Sequence, residues 1–199
     1  MKRVVLAVAA VGLVLLIGAW ASAAPEEKVK PGEQVALSFV NIHDETVPIP
    51  RPGARYIHLQ FHRYAGCPIC NLTLQPYLKR DAELKAAGIQ EVVVFHSPKE
   101  HLLPYQGRFP FDVVADPERK LYARFGVGTS VFALLDVRSW PAIVQGHSLP
   151  DGPHSDPEDT ALGRPADFLL TSDGRVVASH YGRHAADTWT VDQVKALAR

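Results

Sequence analysis

The chain is short of cysteine, of net charge and of repetition. Among its 199 residues there are two cysteines, Cys67 and Cys70, so only one internal bridge can form, across two intervening residues. Lysine plus arginine number 21 and aspartate plus glutamate number 21, so no basic surplus recruits nucleic acid or an acidic membrane face. The nine histidines are scattered and form no His-rich tract. No internal repeat is visible. No cysteine follows the N-terminal apolar run, which excludes a lipidated N-terminus there. What is present has the composition of an ordinary soluble protein, 47% hydrophobic and 21% charged, at a length that bounds it to one domain plus extras.

The first extra is N-terminal. Lys2 and Arg3 precede an uninterrupted apolar run from Val4 to Trp20. Ala21-Ser22-Ala23 then fits the small-x-small cleavage pattern, and Pro25-Glu26-Glu27-Lys28 turns polar at once. Residues 1–24 therefore read as a secretory signal peptide. The competing reading is an uncleaved anchor, because the run is nearly long enough to span a bilayer. Both readings place the folded domain, residues 31–199, outside the cytoplasm, in a periplasmic or comparable compartment, with a membrane link only if the segment is retained.

The rest is organised around Cys67-Pro68-Ile69-Cys70. Tyr56-Ile57-His58-Leu59-Gln60-Phe61 alternates polar and apolar like a half-buried strand, and Leu72 to Ala87 reads as a helix with a kink at Pro76. The pair thus falls at a strand-to-helix junction. A cysteine at a helix N-terminus meets unpaired N–H groups and the positive end of the macrodipole, which favour its thiolate. Pro68 suits the first helical turn, where a missing N–H costs nothing. A bridge closing so small a loop restrains the unfolded chain little, so an inert staple explains the pair poorly. A dithiol–disulfide switch explains it better, with metal binding as the other use of two close sulfurs. Arg63 stands either to stabilise a thiolate or to face solvent at a strand end. His62 is more easily a bystander than a base. Asn71-Leu72-Thr73 matches a glycosylation acceptor but lies inside the expected helix, where chance explains it.

Along the chain, Val35–Val40 and Val47–Pro50 suggest a hairpin at a sheet edge. Glu91–His96 is a nearly continuous apolar strand of the kind buried on both faces. Pro98–Tyr105 suits a short helix and Phe111–Ala115 an extended piece. Asp116 can cap a helix with Pro117 at its first position, running to Phe125 and ending at Gly126. Gly128–Trp140 suits a helix, and Pro141–Gly163, rich in Gly, Pro, Ser and Asp, reads as a long loop over the site. Pro165–Leu170 and Arg175–Tyr181 flank a Ser172-Asp173-Gly174 turn, and Thr188–Ala198 is a terminal amphipathic helix. This order predicts an α/β fold with a mixed central sheet sandwiched by helices.

A strand, a Cys-x-x-Cys at the next helix start, a second apolar strand, then a proline opening a β-hairpin resembles the thioredoxin fold, a three-layer α/β/α sandwich. More closely, Phe61-His62-Arg63-Tyr64-Ala65-Gly66-Cys67-Pro68-Ile69-Cys70, Phe111–Val127 and Pro165–Gly174 resemble the peroxiredoxin-like alkyl hydroperoxide reductase / thiol-specific antioxidant family. The resemblance implies Cys67 as the attacking and Cys70 as the resolving cysteine, and Pro165 as a cis-proline facing them. It implies a disulfide-bearing protein or a peroxide as substrate, a thiol electron donor and no cofactor. From the residues themselves, Arg63, Tyr64, Pro68, Arg164 and Pro165 are the candidates for the substrate groove: Tyr64 to pack over the disulfide, and Arg164, beside the proline, as a second charge near the sulfurs, though a structural or exposed arginine explains it more readily. The chain departs from the family's Pro-x-x-x-Thr-x-x-Cys pattern, carrying Gln60 and Tyr64 at those positions, which favours thiol–disulfide exchange over peroxide reduction. A copper chaperone of the Sco type shares fold and export; its cysteines are spaced one residue wider, and His96, His147 and His180 are the third ligands on offer here.

Overall fold

A computed structural model describes residues 27–149 and 162–199. The expected signal peptide, residues 1–24, lies outside the described residues, as do residues 150–161 of the expected long loop.

Strand β3 (Tyr56–Phe61) is central because both faces of its neighbourhood are covered. β4 (Ile89–Phe95) pairs parallel on one side and β6 (Ala166–Thr171) antiparallel on the other. The sheet is completed by β5 (Asp112–Ala115) beyond β4 and by β7 (Val176–Tyr181) beyond β6, giving the order β5-β4-β3-β6-β7. The sheet is mixed, as the element order predicts. A separate hairpin, β1 (Leu37–Val40) with β2 (Thr46–Ile49), is tied on beside it by the Ile42 N–H donating to the Val113 carbonyl at 2.8 Å.

Ile57, Leu59 and Phe61 point to one face of the sheet and pack with Val92, Val94, Val114, Phe168 and Leu170. That layer is closed by Phe39 and Ile49 of the hairpin and by Tyr122 and Phe125 of helix α4 (Lys120–Arg124) and its cap. Phe61 and Phe168 meet edge to face at 5.7 Å and are fully buried, each contributing about 2–3 kcal/mol through burial. The other face carries Val93, Phe95, Val113 and Leu169. Over it lie α1 (Pro68–Lys79), α2 (Asp81–Ala86), α3 (Lys99–Gln106) and α7 (Val191–Leu197), through Leu74, Leu84, Leu102, Val191 and Val194. Thr190 and Gln193 close α7 with a reciprocal capping box. Gly174 turns β6 into β7 at φ +90°, where a Cβ would come within 2.1 Å of the Val35 carbonyl.

Several boundaries differ from the sequence reading. The expected 72–87 helix is two helices. The break falls at Arg80, with φ −115°, while Pro76 sits inside α1. The expected helix after Asp116 starts at Lys120, because Arg119 takes a left-handed conformation (φ 56°) and makes Pro117–Arg119 a turn. Asp116 still caps, accepting from the N–H groups of Lys120, Leu121 and Tyr122. Gly128–Trp140 contains α5 (Val131–Leu135) and a 3-10 turn (Val137–Ser139). The stretch expected as loop opens with α6 (Trp140–His147). Pro141 stands in the first turn of α6, where a proline is tolerated, and Gly146 marks close packing: a Cβ there would be 2.3 Å from the Pro68 carbonyl oxygen. Proline and glycine at these two positions serve a helix rather than break one.

Candidate active site

Cys67 is the N-cap of α1. Its Sγ accepts the Cys70 N–H at 3.3 Å, the bond that a serine or aspartate makes at other helix starts. The loop before it is fixed from three sides. Ser97 Oγ accepts the Ala65 N–H, Asn71 Nδ2 and Gln106 Nε2 donate to the Ala65 carbonyl, and Gln106 also donates to Asn71 Oδ1. Asn71 therefore has a structural job, consistent with its acceptor-like triplet being coincidence.

Arg63 is buried, not solvent-facing. Its Nε and Nη2 donate to Cys67 Sγ at 3.3 and 3.0 Å, and Nη1 donates to the Ala185 carbonyl at 3.1 Å. Its backbone N–H reaches Cys70 Sγ at 3.4 Å. Burial pushes the Cys67 thiol up, but the Cys70 thiol hydrogen bond, the Arg63 charge, the Cys70 N–H and the Arg63 donors outweigh it and bring Cys67 down to about 6. Cys70 moves the other way. Burial, its donated hydrogen bond and the neighbouring Cys67 charge hold its thiol well above the usual range. Both cysteines are free and buried. The pair is thus split into a thiolate and a proton-bearing neighbour.

The other expected groove residues separate. Pro68 opens α1 and packs under Gly146. Tyr64 is half-buried against the cluster holding both cysteines, and its carbonyl accepts the Cys67 N–H at 3.1 Å. Arg164 commits Nε and Nη2 to the Gly182 carbonyl at 3.1 and 2.8 Å, so it fixes the β6–β7 end rather than adding charge at the sulfurs. Among the described residues the cis peptide bond is Ile49–Pro50, and the bond before Pro165 is trans, which corrects the expectation of a cis-proline there.

The sequence reading missed a buried polar row beneath α1. The polar face of β3 was read as half solvated; instead His58, Gln60 and His62 are all buried. Their partners come from the neighbouring strands. His58 Nδ1 meets Glu91 Oε2 at 2.8 Å, and Nε2 lies 3.4 Å from Asp167 Oδ1, a charge contact rather than a hydrogen bond. Gln60 Nε2 donates to Glu91 Oε2 at 2.7 Å, and Gln60 Oε1 faces His62 Nε2 at 3.2 Å. The His58 ring is stacked between Tyr77 and Trp189. Burial alone would lower His58, but the Glu91 charge, the nearby Asp167 carboxylate and the hydrogen bond to Glu91 raise it to about 9, so it is cationic. Burial and the Arg63 and His58 charges lower His62 to about 3, so it is neutral and no base near neutrality. The signal available in the sequence was Glu91 and Asp167, one carboxylate in each of two otherwise apolar strands.

Among the described residues no three His, Cys, Asp or Glu side chains converge as a metal-binding set. His147 bonds the Ile143 carbonyl and His180 bonds Asp187; His96 Nε2 faces Gly163.

No curated protein matches the chain by sequence. Solved structures match it well in shape. They include the peroxidoxin BcpB of Mycobacterium tuberculosis (TM-score 0.61, 13% identity, covering 86% of this chain and 97% of that one). AhpC of Mycobacterium bovis gives TM-score 0.59 and 12% identity, over 86% and 92%. A putative thiol:disulfide interchange protein DsbE of Chlorobium tepidum gives 0.57 and 18%, over 86% and 99%. At these identities the likeness establishes a shared thioredoxin-like fold. The family model described as AhpC/TSA antioxidant enzyme matches residues 77–184, just over half the chain, starting after the cysteines and running from within α1 to beyond β7. On that match, with the redox-type pair at the head of the same helix, the chain belongs to the AhpC/TSA antioxidant enzyme family.

Proposed function

We propose that the protein is an exported thiol–disulfide oxidoreductase in which Cys67 attacks and Cys70 resolves. The observation that carries this is the Arg63 guanidinium placing two N–H groups on Cys67 Sγ while Cys70 keeps its proton. A thiolate is the attacking form of cysteine, and Arg63 stays protonated at every working pH. The Cys67 thiolate attacks one sulfur of a substrate disulfide, forming a mixed disulfide and expelling the other sulfur as thiolate. Cys70 then loses its proton and attacks Cys67 Sγ. The second substrate sulfur leaves, the substrate is reduced by two electrons, and Cys67–Cys70 becomes a disulfide. A thiol donor restores the dithiol. Export rests on the leader-like segment of residues 1–24.

Family membership supports a second reading on the same two sulfurs. The Cys67 thiolate attacks a peroxide oxygen, breaking the O–O bond to give a sulfenic acid and an alcohol or water, and Cys70 condenses with the sulfenic acid, releasing water. Gln60 and Tyr64 argue for the first reading. Gln60 is committed to Glu91 under the sheet, and Tyr64 presents its carbonyl to the Cys67 N–H. Insulin-disulfide reduction and hydrogen peroxide consumption, assayed in parallel, test the choice. Disulfide reduction is expected, abolished in Cys67→Ser and stalled as a mixed disulfide in Cys70→Ser. Peroxide turnover without disulfide reduction would reverse the preference.

A further inference from the structure

Residues 131–144 carry a large apolar surface on the side away from the cysteines. Phe132 is 84% exposed, Val144 68%, Val137 67%, Leu135 64%, Trp140 59% and Val131 50%. Val137, Trp140 and Val144 recur at helical spacing and share one face. The inward side of the same stretch is already used: Ala142 and Ile143 pack on the cluster that holds the cysteines, Ser139 Oγ accepts the Ala185 N–H at 3.0 Å, Ala133 is buried, and Gly146 lies on Pro68. The stretch therefore has α1 beneath it and an apolar outer face. Its charged side chains, Asp136 and Arg138, neutralise each other at 2.6 Å. Soluble monomers seldom expose so many large apolar groups together.

The beginning of the chain indicates what covers this face. The sequence has an apolar run, Val4–Trp20, followed by a short spacer, residues 21–26, before the described domain starts at Glu27. The Glu27–Lys28 backbone lies against Gly126, where a Cβ would sit 2.6 Å from the Glu27 carbonyl oxygen. From Gly126 the chain reaches Val131 within at most about 18 Å, and the spacer spans at most about 20 Å when extended. The apolar run is thus tethered to the end of the domain that carries the apolar face.

Taking Val4–Trp20 as a retained anchor, the second of the two readings of that segment, we propose that Val131, Phe132, Leu135, Val137, Trp140 and Val144 lie on the surface of the lipid bilayer that holds it. The neutral, apolar face suits the boundary between headgroups and acyl chains, and Trp140 is the residue type that settles there. With α6 between the lipid and α1, the cysteines stand about one helix layer, ~8–10 Å between helix axes, from the membrane.

Site-directed spin labelling of the full chain tests this. In a Cys67→Ser/Cys70→Ser background, single cysteines are placed by Phe132→Cys, Val144→Cys and, as a water-facing control, Lys120→Cys, all at exposed side chains. The chain is reconstituted in vesicles of phosphatidylethanolamine and phosphatidylglycerol, and relaxation by oxygen is compared with relaxation by a water-soluble nickel chelate. The oxygen-to-nickel ratio is expected to be severalfold higher at 132 and 144 than at 120. A ratio at 132 and 144 equal to that at 120 overturns the proposal. Shielding of 132 and 144 from both reagents also overturns it, because it means that protein, a second copy included, covers the face.

Discussion

Replacing Arg63 with methionine tests the centre of the site. Methionine fills comparable space without charge or donors, so the change removes two N–H contacts at 3.0 and 3.3 Å and one full positive charge from Cys67. An opposite charge at this range shifts a pKa by roughly 1–3 units, so Cys67 should rise from about 6 to about 8. At pH 7 the thiolate fraction would then fall from roughly nine-tenths to roughly one-tenth. The reaction rate, however, would hardly move. Thiolate nucleophilicity rises with pKa with a slope of about 0.4–0.5, so a shift of two units makes each remaining thiolate roughly tenfold more reactive.

The two effects cancel near neutrality and separate in acid. At pH 5.5 the wild-type fraction is about one-quarter and the variant fraction about three in a thousand, leaving the variant roughly eightfold slower after the nucleophilicity gain. The measurement is thiolate absorbance near the ultraviolet edge against pH, together with iodoacetamide alkylation at acid and neutral pH. A midpoint that stays near 6 in Arg63→Met would refute the assignment of Arg63 as the thiolate's stabiliser. The helix N-terminus and Cys70 alone would then hold the charge.

Other consequences can be read from the same contacts. Gly146→Ala places a Cβ 2.3 Å from the Pro68 carbonyl oxygen, so α6 must lift from α1; a loss of about 1–3 kcal/mol in urea unfolding and faster alkylation of Cys67 are expected, and unchanged alkylation would show that α6 does not shield the thiol. Leu74→Ala empties a fully buried site under α1 and should cost about 2–5 kcal/mol in the same assay. Glu91→Gln leaves the buried His58 cation with only Asp167 and should cost about 3–5 kcal/mol at neutral pH. His58 also makes stability depend on alkali: its folded pKa, about 9, exceeds its ordinary 6.5, so its contribution of roughly 3 kcal/mol is complete below pH 6.5 and disappears as pH rises through 9. Unfolding midpoints that stay flat from pH 6 to pH 10 would contradict a cationic His58.

The redox pair and its helix-start position were legible because they depend on local chemistry. Cysteine spacing, a proline at the first helical position and an apolar strand on either side require no tertiary knowledge. The strands were legible for the same reason, since β4 and β6 are apolar runs interrupted by little more than one carboxylate each. The segment 140–147 was not, because Pro141 and Gly146 carry opposite meanings according to context. A proline in a first turn and a glycine under a carbonyl look like loop signals until α1 is present to pack against. Proximity in sequence made Arg164 a candidate for the groove, with a structural role as the stronger alternative. Its guanidinium turns to the Gly182 carbonyl, a partner 18 residues on that is brought near by the β6–β7 hairpin.

The polar row shows a different limit. His-x-Gln-x-His alternating with apolar residues reads as a strand with one wet face, because alternation records which residues share a face and not what covers it. Glu91 and Asp167 come from strands on either side of β3, 33 and 109 positions away from His58 in the chain, and the sheet order alone brings them together. Once assembled, the row carries one cation between two carboxylates, stacked between Tyr77 and Trp189, and runs toward the start of α1. The placement of Arg63 follows from the same covering. With His62 buried and neutral on the α1 side, stacked on Phe95, Arg63 is left as the cation whose donors reach Cys67. A histidine that stayed neutral adds no second charge beside the guanidinium, so Arg63 can remain within 3.3 Å of the sulfur without a like-charged neighbour pushing it away. Burying the polar face of β3 therefore keeps His62 uncharged, and the Arg63 guanidinium acts on Cys67 together with the Cys70 thiol and N–H.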